Sequence, residues 1–167
     1  MYNGLVGKKN AVETQFSGID VQLKKRFDLI PNLVASVKEY AKHERELLEN
    51  VTALREKAMK AADGDDTVAA TNLLNGALGS LMVRMEAYPD LKASENFQDL
   101  QRQLAISEQE ISASRRSYNI AVEIYNNAIE MIPTNIMARW MGYKQKTLFE
   151  IPETERENVN VSAMFNS

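Results

Sequence analysis

Apolar side chains return every three or four residues along almost the whole chain, a spacing that puts them on one face of an α-helix. Leu5, Val12, Phe16, Ile19, Leu23, Phe27 and Ile30 make a first stripe. A second runs through Leu33, Val37, Tyr40, Leu47, Val51, Leu54 and Ala58, with Glu44 standing where the stripe would otherwise be apolar. Leu74, Leu78, Leu81 and Met85 make a third, and the longest joins Phe97, Leu100, Leu104, Ile111, Tyr118, Val122, Tyr125 and Ile129. Helices with one apolar face must bury it against one another. The predicted fold class is therefore all-α: an up-and-down four-helix bundle of long antiparallel helices, with a short extra C-terminal helix and an irregular tail.

Helix-breaking residues set the expected boundaries. Pro31 has no amide hydrogen and crowds the preceding turn, so the first helix is expected to reverse there. A single rod from residue 3 to residue 62 would otherwise extend about 90 Å at ~1.5 Å per residue, with no partner of that length. Asp63, Gly64, Asp65 and Asp66 read as a helix stop followed by an N-cap, because glycine tolerates the left-handed region and aspartate accepts from unpaired amides. Pro89 ends the third helix and Pro133 the fourth. One or two capped turns then run to Gly142, with Trp140 expected to pin them onto the end of the bundle. This gives one bundle domain, residues 1–142, and an irregular tail, residues 143–167. In the tail Leu148, Phe149 and Ile151 are the apolar footholds among Glu150, Pro152, Glu153, Glu155 and Glu157.

Composition narrows the functions open to such a bundle. Cysteine is absent, which removes disulfides, thiolate nucleophiles and cysteine-ligated metal sites together. A net charge of −3 lacks the basic footprint of a nucleic-acid binder, so no nucleic acid is expected as a partner. Residues 1–62 carry 11 Lys/Arg against 8 Asp/Glu, net +3, and residues 63–167 carry 9 against 15, net −6. A basic end suits anionic lipid or an acidic partner, although solvated helix faces carry charge at this density too. There is no run of about 18 apolar residues to cross a bilayer. Met1 leads directly into polar sequence, which is not a signal peptide.

Residues able to carry chemistry are few. His43, the only histidine, is followed by Glu44, but Leu47 stands where a zinc HExxH motif needs its second ligand. Glu39 lies four residues before His43, not the three of a di-iron Glu-x-x-His pair. No nucleophile elbow or glycine-rich phosphate loop is present. No catalytic residue, cofactor or metal is expected, and the chain does not read as an enzyme. Glu108 and Arg115 fall on the apolar seam of the longest helix and so direct charge towards the core. They read either as a polar layer fixing helix register, paired with Glu44 or Asp20, or as the lining of a polar pocket formed by Glu44, Glu108 and Arg115. Tyr118-Asn119 and Tyr125-Asn126 repeat at seven residues, nearly the same helix face. They read as core tyrosines whose neighbouring amides bond across to the first helix.

Four stretches carry a resemblance to a known family: IDVQLKKRFDLIPNLV (19–34), YAKHERELLENVTALR (40–55), YPDLKASENFQDLQRQL (88–104) and SASRRSYNIAVEIYNNAI (112–129). Together they resemble the LemA family, from YNGLV at residues 2–6 through the Ile132-Pro133 step to the MFN end. The family usually has tryptophan where this chain has Phe16, which keeps a large apolar residue there. Asp20, Gln22, Pro31 and Asn32 belong to its signature segment, without a known role. The resemblance implies a bacterial, membrane-tethered cell-envelope bundle that acts as a scaffold or interaction module for protein partners. The alternative is a ligand-sensing or enzymatic bundle built on the polar seam. It also implies a single-pass helix of about 20 apolar residues just before the YNxLV motif, and Met1 immediately before that motif leads us to expect a removed anchor. Lys8 and Lys9 would then lie in the window where basic residues favour the cytoplasmic side, with Lys24, Lys25 and Arg26 slightly beyond it.

Overall fold

The first and last of the four stripes make the longest contact in the molecule. In the computed structural model, which describes residues 1–149, α1 spans Tyr2–Tyr40 and α5 spans Glu95–Glu130. They run antiparallel along almost their whole lengths: Ser36 meets Asn96, Arg26 meets Glu108, and Phe16 meets Tyr118. Their 39 and 36 residues correspond to about 58 and 54 Å at ~1.5 Å per residue, so each covers the other. Between them in sequence come α2 (Arg45–Met59), α3 (Gly64–Met85) and the short α4 (Pro89–Ala93), followed at the end by α6 (Thr134–Trp140). The shorter α2 and α3 pack on each other, and α3 runs beside α1 from Phe16 to the turn at Glu44. Leu23, Ile30, Leu33, Leu74, Leu81 and Phe97 are fully buried in the shared core, each stabilising by about 2 kcal/mol relative to exposure.

The expected reversal at Pro31 is not found. Proline sits inside α1, and the helix continues for nine residues beyond it. The apolar stripe explains why: Ile30, Leu33, Val34 and Val37 stay buried without a break across the proline. Proline cannot donate to the carbonyl four residues back, which is that of Phe27. Arg55 of α2 does so instead, its Nε donating to the Phe27 oxygen at 2.6 Å. The chain turns only after Ala41, where Lys42 and His43 are exposed and Glu44 begins the return. A partner of comparable length therefore exists for a helix of this size, and it is α5.

At the next turn Asp63 is the N-cap, its carboxylate accepting from the Asp66 amide at 2.8 Å. Gly64 is not a helix stop: it is the first residue of α3, and Gly142 is the one glycine with positive φ among the described residues. Ser94 caps α5 in the same manner as Asp63 caps α3. Gly142 (φ 69°) closes α6 with a Schellman pair: its amide donates to Arg139, and the Tyr143 amide donates to Ala138 at 2.9 Å. Trp140 does not pin α6; it is 81% exposed, and the buried Ala138 makes the contact. Beyond Gly142 residues 143–149 have no regular secondary structure but lie against the bundle, with Phe149 buried. The expectations for Ile151 and the glutamates from Glu150 onward lie outside the described residues.

Candidate functional site

Glu108 and Arg115 are two helical turns apart on α5 and therefore share a face. On the facing side of α1 stands Arg26, whose Nη1 lies 3.1 Å from Glu108 Oε2 and donates to Asn75 Oδ1 of α3 at 2.6 Å. Arg115 Nη1 donates to Glu108 Oε1 at 3.3 Å, and its Nη2 donates to Ser112 Oγ at 3.0 Å. One carboxylate thus sits between two guanidinium groups from two helices. The side chains of Arg26 and Arg115 are 11% and 3% exposed against 36% for Glu108, so the cations are inside and the anion borders solvent. Burial pulls the Arg26 pKa down; Glu108 opposes the shift and Arg115 adds to it. Arginine keeps its charge at any ordinary pH. Arg26 Nε, Thr71 Oγ1 and Ser107 Oγ are also buried, with no hydrogen-bond partner among the described residues.

Glu44 belongs to a different place. It lies at the α1–α2 turn, accepts from the Tyr88 hydroxyl at 3.0 Å and pairs with Arg84 at 3.5 Å. That hydrogen bond raises the Tyr88 pKa. Asp20 is bound to Lys24, one turn along its own helix, at 2.9 Å. The partner of Glu108 across the bundle is thus Arg26, not Glu44 or Asp20. Of the other signature residues, Gln22 is half-buried, while Pro31 and Asn32 are exposed. His43 is exposed in the turn, and among the described residues no group of three or more His, Asp or Glu is arranged to hold a metal ion.

The asparagine amides of the Tyr-Asn repeat do not bond across to α1 as expected; they bond the segment after α6. Asn126 Nδ2 donates to the Lys146 carbonyl at 3.0 Å while its Oδ1 accepts from the Lys146 amide at 2.9 Å. Asn119 makes the same pair with Phe149, both bonds at 2.9 Å. The Tyr125 hydroxyl donates to the Lys144 carbonyl at 3.0 Å, Asn72 of α3 donates to the Leu148 carbonyl at 3.0 Å, and the Thr147 amide donates to Asp65. Phe149 meets Tyr118 edge-on at 5.2 Å, and Phe16 of α1 lies 6.1 Å from the same Tyr118 ring. Burial pushes the Tyr118 phenol up to about 12, with Asp65 adding to the shift.

Fold and site together define an all-α bundle with an ion-paired polar layer at its middle and a side-chain clamp on its own C-terminal segment. The chain belongs to the LemA family, whose model matches residues 15–163. It is 29% identical over 166 residues to Protein LemA of Metamycoplasma hominis, covering 98% of this chain and 75% of that protein. It is 23% identical over 175 residues to the magnetosome protein MamQ 2 of Paramagnetospirillum magneticum and 22% identical over 174 residues to the magnetosome protein MamQ of Magnetospirillum gryphiswaldense. In both cases 89% of this chain is covered, and the match spans 64% of the relative's length.

Removing Glu108 takes the carboxylate from two largely buried guanidinium groups, so an apolar replacement is not neutral. Glu108→Leu is expected to lower unfolding stability by about 3 kcal/mol in a urea titration, and Glu108→Gln by less, because it keeps an acceptor. A Glu108→Leu variant as stable as the parent would show that the ion pairs contribute nothing.

Proposed function

We propose that this chain is the bundle of a membrane-tethered cell-envelope scaffold or interaction module, with the start of α1 and the α5–α6 turn facing the bilayer. One observation carries the reading: Met131, Ile132, Ile136 and Trp140 are 63%, 82%, 69% and 81% exposed at the end of the molecule where α1 begins. Four large apolar side chains turned to solvent at one end, a tryptophan among them, suit the headgroup boundary of a membrane. No described helix is itself long and apolar enough to cross one. An anchor preceding Tyr2, as the resemblance implies, would enter at this end. Kinship with LemA and MamQ proteins supports membrane association and adds no molecular activity. Lys8 and Lys9 favour the cytoplasmic side.

Trp140 is the only tryptophan, and the chain has no cysteine, so orientation can be read directly. Met1→Cys coupled to a maleimide lipid tethers the start of α1 to a vesicle, and Lys42→Cys tethers the opposite end. Trp140 emission is expected to shift to the blue with the first tether and not with the second. Equal spectra would remove the membrane-facing assignment. On sidedness, a C-terminal tag on the anchored protein is expected to resist protease added to intact spheroplasts. Cleavage from outside would contradict a cytoplasmic bundle.

A further inference from the structure

Residues 143–149 are held by hydrogen bonds to their main chain and by side-chain contacts of Tyr143 with Tyr125, Gln145 with Glu130, Lys146 with Tyr125 and Phe149 with Tyr118. The amide or carbonyl groups of Lys144, Lys146, Thr147, Leu148 and Phe149 are bonded by side chains of α3 and α5. Only one side chain of the segment, Phe149, is buried. The match is one of pitch. Asn119 and Asn126 are seven residues apart on a helix, about 10.5 Å at ~1.5 Å per residue. Lys146 and Phe149 are three apart, about 10 Å at the ~3.3 Å rise of an extended chain. Each asparagine presents one donor and one acceptor to a single residue's amide and carbonyl, as a neighbouring β-strand would. The two asparagines read backbone shape; sequence enters through the aromatic at Phe149, through Lys146, whose ammonium lies 5.5 Å from the Tyr125 ring centre, and, before the clamp, through Tyr143 against Tyr125 and Gln145 on Glu130.

We propose that this groove between α3 and α5 is a receptor for an extended polypeptide segment of another protein, one with a basic residue and, three positions later, an aromatic. Residues 143–149 are its occupant in cis. The inference rests on the interaction-module reading and names the partner class for it. Extended segments adding to unpaired hydrogen-bonding edges are an established mode of peptide recognition, with main-chain bonds giving affinity and side-chain pockets giving selectivity. The cis segment is tethered and therefore competes at high effective concentration, so a free peptide binds well only once the groove is cleared.

The test vacates the groove in the full chain. Lys146→Pro/Phe149→Pro removes the two amide hydrogens that the asparagines accept and leaves every helix untouched. A fluorescein-labelled peptide of residues 143–149 is titrated against it by anisotropy, with helicity checked by circular dichroism. The expected result is saturable binding at least about tenfold tighter than to the parent chain. Binding is expected to be lost on adding Asn119→Ala/Asn126→Ala, and with a peptide N-methylated at its Lys146 and Phe149 equivalents. Absence of binding, or binding indifferent to N-methylation, overturns the proposal. If the doubly substituted chain is not helical, Phe149→Pro alone is used with the same outcomes. A parent-chain dimer that the proline substitutions abolish would also overturn it, by making the occupant a second copy. None of these results alters the Trp140 readout, so the groove can fail while the membrane-facing reading stands.

Discussion

A proline in the middle of a 39-residue helix leaves one carbonyl without its amide, and here Arg55 of α2 supplies the missing donor to Phe27 at 2.6 Å. An unmade bond at a half-buried carbonyl costs about 1–3 kcal/mol, enough to favour a helix end over continuation. With the donor supplied by a neighbouring helix, continuation keeps Leu33, Val34 and Val37 in the core. The full-length pairing of α1 with α5 depends on this. So does the placement of α2 and α3, because the chain reverses ten residues later than the proline and α3 begins beside Phe16, not at the start of α1.

The pair then divides its length between two kinds of polar contact. At the middle, Arg26, Glu108 and Arg115 lock α1 to α5 in one register, since sliding either helix by a turn would separate charges that burial makes costly to leave alone. Towards the end of α5 the same helix turns two asparagines and two tyrosines onto an extended segment. The first contact is closed between side chains. The second faces a main chain, which any polypeptide possesses, and that difference is why binding is attributed to the clamp and register to the charged layer.

Much of this was legible in the residues and some was not, for identifiable reasons. The stripes revealed an all-α bundle because a period of three and four survives any tertiary arrangement. A turn with an aspartate N-cap within residues 63–66, the end of α3 before Pro89, and Gly142 as the close of α6 follow from local backbone chemistry, although the cap is Asp63 and Gly64 opens the helix instead of stopping one. Pro31 misled because its cost is local while its compensation, Arg55, comes from another helix. Glu108 and Arg115 announced a polar layer by interrupting a seam, but Arg26 sits beside Phe27 at the edge of its stripe and gave no such signal. The Tyr-Asn repeat was visible, yet its partners are main-chain groups of residues 144–149, and no side-chain pattern marks a backbone. Trp140 was expected to pin the last turns onto the end of the bundle, whereas it is exposed and Ala138 is the buried residue of α6.

The continuity of α1 across Pro31 is the claim on which the rest stands, and hydrogen exchange read by mass spectrometry tests it most directly. The amides of residues 32–40 are predicted to be protected as strongly as those of residues 19–27, with Arg55→Met lowering protection around Pro31 by about 1–2 kcal/mol. Rapid exchange of the amides of residues 32–35 in the unsubstituted chain, the first turn that a reversal at Pro31 would leave unpaired, would contradict it.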